Sequence, residues 1–134
     1  VERALRVTRE DYLTAQVKVT DFIEEAAKTF AKYDLLTMPT VTVPAFSNKL
    51  PFGPNLVQGI KIDPALGWGH TSPFNMTGHP AISIPCGWTE DRKPLPIGLQ
   101  IVGRRRADAL VLRVAEAVER LLRDRTPERR PRWD

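Results

Sequence analysis

The sequence predicts an α/β fold, a partial mixed sheet of three to four short strands covered by helices. Three observations predict it. Residues 9–32 and 107–123 carry apolar residues at helical spacing and contain no Pro or Gly. Between them lie short apolar runs of strand character, "LLTM" (35–38), "AISIP" (81–85) and "IGLQIVG" (97–103). Most Pro and Gly residues gather in the connections between these runs.

The first helix opens on Thr8, three residues before Asp11, which resembles a capping box and places an acid where the helix dipole favours it. Leu13, Val19, Phe22, Ile23, Ala26, Ala27 and Phe30 form its broad apolar face. In "YDLLTMPTVTVPAF" (33–46), Leu35–Met38 reads as a buried strand. Pro39, which has no N–H to donate, stands where that strand leaves the sheet. Residues 47–70 are punctuated by seven Pro or Gly residues and show no period, so they read as an irregular loop. Phe52, Leu56, Ile60, Leu66 and Trp68 within it point to docking on a surface or lining a pocket.

In "TSPFNMTGHPAISIPCG" (71–87) the breakers cut a short helix from the strand behind it. Thr71 or Ser72 caps that helix, Pro73 takes its first position and Gly78 ends it in the left-handed conformation. Eight polar residues, "TEDRKPLP" (89–96), join the next two strands as a hairpin, which makes them antiparallel. The last helix is capped by Asp108 and buries Leu110, Val111, Val114, Val118, Leu121 and Leu122. A basic tail, 125–134, follows.

With 134 residues, an apolar fraction of 42% and a charged fraction of 27%, the chain is expected to form a single soluble domain. No apolar run reaches the roughly 20 residues of a membrane span. The charged start "VERALRVTRE" reads without a signal peptide, and Val1 in place of Met points to a piece of a longer protein. A lone cysteine predicts a reducing, cytoplasmic setting. The net charge of +4 sits in Arg104–Arg106 and in the C-terminal arginines. No base-reading motif accompanies them, so a solvated surface is expected and nucleic acid is not.

No catalytic residue is assigned. Cys86 ends an apolar strand and reads as a buried, inert thiol. His70 and His79, nine residues apart with one cysteine, match no common zinc spacing, so no metal is expected, nor any other cofactor. The carboxylate pairs Glu10/Asp11, Glu24/Glu25 and Glu90/Asp91 read as solvated charge. Asn75, midway along the short helix, is positioned to satisfy backbone groups and, secondarily, to touch a substrate.

Three segments, "YDLLTMPTVTVPAF" (33–46), "TSPFNMTGHPAISIPCGW" (71–88) and "LPIGLQIVGRRRADALVLRVAEAVER" (95–120), resemble in this order the C-terminal third of the amidase signature family. The likeness runs over about residues 12–122. It implies the C-terminal part of an α/β/α sandwich and the cleavage of a carboxamide C–N bond through an acyl-enzyme. In that family a Lys and a bridging Ser in a cis peptide activate a nucleophilic Ser, while backbone N–H groups hold the oxyanion. None of these groups transfers, because the chain has only Ser47, Ser72 and Ser83, with no Ser-Ser pair and no Gly-Ser dipeptide.

What the resemblance implies here is scaffold, with Phe46, Trp68 and Asn75 as substrate-pocket candidates suited to an apolar or aromatic acyl group. The expected partners are a small-molecule amide, and either the N-terminal portion of the same enzyme or a second copy of the chain. Val19 stands where the family often shows Arg, and Trp68 falls near an Asp of the tRNA-directed branch, which points away from that branch. The alternatives are a non-catalytic scaffold, or a module that uses its basic clusters to bind an acidic partner or nucleic acid.

Overall fold

A computed structural model describes residues 6–90, 92 and 94–125, without the side chains of residues 124 and 125. Its central strand is β5 (Pro96–Gly103), with β1 (Leu35–Pro39) on one side and β4 (Ala81–Trp88) on the other. Both neighbours run antiparallel to it, and every strand pairing among the described residues is antiparallel. Because side chains alternate along a strand, β5 feeds two apolar layers. Val102 packs beneath α1 (Arg9–Phe30) and α2 (Ser72–Thr77) with Ala26, Phe30 and Phe74, flanked by Leu36 and Met38. Ile101 packs on the opposite face with Ile84 and with Ala115 of α3 (Asp108–Arg125). The result is helix, sheet, helix, an α/β arrangement with helices on both faces.

The local chemistry explains the boundaries. Thr8 and Asp11 form the capping box reciprocally, and the Thr8 backbone and hydroxyl hydrogen bonds hold the Asp11 carboxyl below the usual carboxylate range. Helix α1 stops at Phe30, two residues before its expected end at Lys32. Only its second half docks: Ala26 and Phe30 are buried, whereas Leu13 and Phe22 of the expected apolar face are exposed. The sheet lies under the C-terminal turns, so the N-terminal turns find no packing partner among the described residues.

Two capping expectations change in detail, while Pro73 and Gly78 bound α2 as expected. Thr71 occupies the N-cap of α2 in an α conformation, and neither it nor Ser72 makes a side-chain cap. Pro73 and left-handed Gly78, at φ 68°, set the ends of that helix instead. Asp108 lies inside the first turn of α3, while the Ala107 carbonyl accepts the first helical bonds from Leu110 and Val111. Val111 and Ala115 form the buried stripe of α3, and Leu121 points to solvent.

Within loop 47–70 the structure adds a small hairpin, β2 (Leu56–Val57) with β3 (Ile60–Lys61). Gln58 and Gly59 both have positive φ, 48° and 81°, the backbone of a two-residue turn that matches strand twist. The arginines of the basic tail at 129, 130 and 132 lie outside the described residues.

Sheet and α3 approach closely at Gly103, where a Cβ would stand 2.6 Å from Val111 Cγ2. Gly103→Ala is expected to destabilise the chain by about 1–3 kcal/mol through overpacking. Gly87→Ala, where a Cβ would meet nothing within 4 Å, is expected to stay within about 0.5 kcal/mol. Urea unfolding of the two variants side by side checks the contrast.

Candidate functional site

After Pro39 the chain turns along the outer edge of the sheet and is tied to the end of the long loop. The Thr40 N–H donates to the Gly98 carbonyl at 2.9 Å, so alternate residues of β1 point towards β5 and the others away from it. On the outer side, Thr42 N–H donates to the Trp68 carbonyl and His70 N–H to the Thr40 carbonyl, around a bridge between Val41 and Gly69. The two ends of the loop are therefore pinned together, and the loop between them projects from a fixed base.

At this base Phe46 and Trp68 meet edge to face, with ring centroids 5.4 Å apart. The Trp68 indole N–H donates to the Pro64 carbonyl at 2.9 Å. Gly53 is buried against the indole, where any side chain would overlap it. Two of the three pocket candidates are thus brought together. Asn75 is apart from them: it is exposed, and its amide makes no hydrogen bond to another described residue. The backbone break it was expected to satisfy is closed by the Gly78 N–H, which donates to the Phe74 carbonyl at 3.1 Å.

The concavity next to this base is an open groove of about 470 Å³ between α1, α2 and β1. Phe22, Ala26, Leu36, Met38 and Phe74 make it apolar, and Gly69 and His70 close one end. None of Phe46, Trp68 and Asn75 lines it. A smaller hollow of about 260 Å³ lies between segment 39–45 and Thr89, Pro96, Ile97 and Gly98.

Sequence reasoning missed the polar set that borders the groove. Thr40, just past the end of β1, and Ser83 of β4 join hydroxyls at 2.6 Å across β5. They meet because Gly98 lies between them: a Cβ there would stand 2.8 Å from Thr40 Oγ1 and 2.9 Å from Ser83 Oγ. Gln100, 2% exposed, donates from Nε2 to the His70 carbonyl at 3.2 Å. His70 Nδ1 lies 2.9 Å from the Pro39 carbonyl. The one sequence signal for this set was a polar residue inside an otherwise apolar strand, Gln100 in "IGLQIVG".

His79 is a packing residue. It is 8% exposed, stacked on Phe30 at 5.3 Å and set edge-on to Phe74 at 6.2 Å. Its Nδ1 is 2.8 Å from Thr77 Oγ1, and its ring contacts tie α1 to α2. Burial, and secondarily the Arg105 charge, hold its pKa below the ordinary 6.5.

Cys86 is free and half-buried at an irregularity in β4, where the pairing shifts between Pro85 and Gly87. Among the described residues no His, Cys, Asp and Glu side chains are grouped to hold a metal ion. Arg104 pairs with Asp34 at 2.8 Å, and Arg105 lies against Gly78, so two members of the first basic cluster serve internal contacts. Among the described residues no helix is long and apolar enough to cross a membrane.

The amidase family profile matches residues 2–112. An acylamidase of Rhodococcus erythropolis is 42% identical over 88 residues, 65% of this chain and 18% of that protein. A glutamyl-tRNA(Gln) amidotransferase subunit from Brevibacillus brevis is 42% identical over 108 residues, 81% of this chain and 20% of that protein. The solved structure of a bacterial aryl acylamidase of the amidase signature enzymes superposes with a TM-score of 0.78 at 29% identity, covering 98% of this chain and 28% of that one. The chain spans about a fifth of the length of these curated relatives.

Gly98→Ala is expected to part the Thr40 and Ser83 hydroxyls and destabilise the chain by about 1–3 kcal/mol. A denaturation midpoint equal to that of the unaltered chain contradicts the close approach. His79 gives a pH dependence of known sign. Its folded pKa is depressed, so the unfolded chain takes up a proton first as pH falls. The stability His79 contributes is complete above about pH 6.5 and is lost as pH drops through its lower folded value. Thermal unfolding between about pH 7 and pH 5 is expected to fall more steeply for the native chain than for His79→Phe.

Proposed function

Since this chain belongs to the amidase family, we propose that it forms the supporting wall and part of the substrate pocket of an enzyme that cleaves a carboxamide C–N bond. The observation that carries this reading is the joint likeness of sequence and backbone to acylamidases, together with a serine and lysine inventory that offers no nucleophile. Ser83 is committed to Thr40, Ser72 sits in the first turn of α2, and Ser47 accepts from the Lys49 backbone N–H at 3.3 Å. Every described lysine is exposed, and a Lys that deprotonates a serine must be held neutral by burial or by neighbouring charge. The Ser, bridging Ser and Lys of the acyl-enzyme chemistry are therefore assigned to protein outside this chain.

The order of the three matching segments supports placing the chain in the C-terminal third of such an enzyme. Exposed apolar residues on the N-terminal half of α1, Leu13 at 51% and Val17 at 59%, support a further protein surface over it. That surface is the N-terminal portion of the enzyme or a second copy of this chain. The Phe46–Trp68 pair supports an apolar or aromatic acyl group as substrate. A reducing, cytoplasmic setting accords with the free Cys86 thiol.

The purified chain is expected to release no ammonia or amine from an aryl carboxamide, while the complete enzyme containing it does. Turnover by the isolated chain, lost in neither Ser83→Ala nor Cys86→Ala, would point to contamination. Turnover abolished by either substitution would falsify the assignment of the nucleophile elsewhere.

A further inference from the structure

We propose that His70 is a fixed hydrogen-bond acceptor at the end of the α1–α2–β1 groove, and that it orients an apolar amide through the amide's own N–H. The inference deepens the amide-hydrolase reading and rests on it for the class of ligand. Its geometry is independent of that reading.

The tautomer follows from the partner. His70 Nδ1 faces the carbonyl of Pro39 at 2.9 Å. A carbonyl oxygen only accepts, so Nδ1 carries the hydrogen, and in the neutral ring Nε2 is left with a lone pair. Pro39 belongs to the alternate set of β1 residues whose carbonyls point away from β5, which places its oxygen on the sheet's outer edge. The ring is held there by its backbone too. The His70 N–H donates to Thr40 at 3.1 Å, and its carbonyl accepts from buried Gln100 at 3.2 Å. With backbone N–H, backbone carbonyl and Nδ1 all engaged, little conformational freedom remains to be lost when a ligand arrives.

Nε2 is the one polar atom of the residue without a hydrogen bond among the described residues. No buried side-chain nitrogen or oxygen among them lacks a partner, so Nε2 is open to solvent. His70 lines the groove, whose wall is otherwise mostly apolar, with Phe22, Leu36, Met38 and Phe74. Glu25 and Thr29 also line the groove, where one Glu25 carboxylate oxygen pairs with Lys28 and the Thr29 hydroxyl donates to the Glu25 carbonyl. A preorganised acceptor at the end of a mostly apolar trough favours a ligand with an apolar body and one donor. A carboxamide supplies that donor; the matching ester does not.

The test is a titration of the full 134-residue chain with phenylacetamide and with methyl phenylacetate, followed by the imidazole nitrogen resonances of His70. The amide is expected to bind roughly three- to tenfold tighter than the ester, the range that one net hydrogen bond provides. It is also expected to move the Nε2 resonance while leaving Nδ1 protonated. His70→Phe keeps the ring and removes the acceptor, and is expected to bring amide affinity down to that of the ester. Equal binding of the two ligands by the native chain, binding of neither, or an unshifted Nε2 overturns the proposal. Amide hydrolysis by the complete enzyme is read in a separate assay, so loss of that activity and loss of amide-over-ester binding are distinct results.

Discussion

Strand β5 has to be buried on both faces at once, and most of the molecule is arranged around that constraint. Ile101 and Val102 are both 0% exposed although they point in opposite directions. A strand with one solvated face shows alternation of apolar and polar residues, whereas a strand covered twice is apolar throughout. Two-sided cover requires a helix on each side, and it gives the long α1 and α3 their places. Where β5 must come close to something other than a large side chain, it carries glycine. Gly103 admits Val111 of α3, and Gly98 admits the Thr40 and Ser83 hydroxyls.

The groove is a consequence of the same arrangement. Cover on the α1 side is divided between the end of a long helix and one short helix, and neither fills the space over the edge strand β1. The loop returning at Trp68–His70 closes one end by pairing with residues that continue β1, so its rigidity is inherited from the sheet. Gln100 shows how tightly the two are coupled. It lies in the buried second half of β5, and the His70 carbonyl satisfies it. The core and the groove therefore share one hydrogen bond, and the position of His70 is set from inside the sheet.

Periodicity made the fold largely readable from the sequence. Helical spacing with no breakers marked α1 and α3, and short apolar runs marked the strands. The eight polar residues at 89–96 identified the β4–β5 hairpin, and its antiparallel pairing is observed. What periodicity cannot carry is extent of cover. Leu13 and Phe22 sit on the expected apolar stripe of α1 yet are exposed, because burial depends on how far the sheet reaches beneath the helix. The β2–β3 hairpin escaped notice because its turn is Gln58–Gly59, in which a residue other than Asn or Asp takes the first positive φ. The candidate site was less legible. Phe46 and Trp68, 22 positions apart, do touch, but Thr40, Ser83, Gln100 and His70 converge only through strand register and loop closure. Asn75 was singled out from its place in a short helix, and the direction of a side chain on a six-residue helix is not encoded in spacing.

The proposed placement of the bond-breaking groups outside a chain that shapes the groove has a physical rationale. Catalysis needs a strained, polar and desolvated nucleophile, while discrimination between acyl groups needs a stiff apolar surface with few polar atoms. The two demands conflict when they fall on one element, because a tightly packed apolar wall penalises unpaired polar groups. In this chain every buried side-chain polar atom among the described residues has a partner, and the sheet face near the groove exposes hydroxyls bound to each other rather than poised for attack. The Nε2 lone pair of His70, unpaired but open to solvent, is the kind of polar atom such a wall tolerates. It belongs to a residue fixed by three internal bonds. Chemistry supplied by other segments would then act on a substrate whose orientation this wall has already restricted.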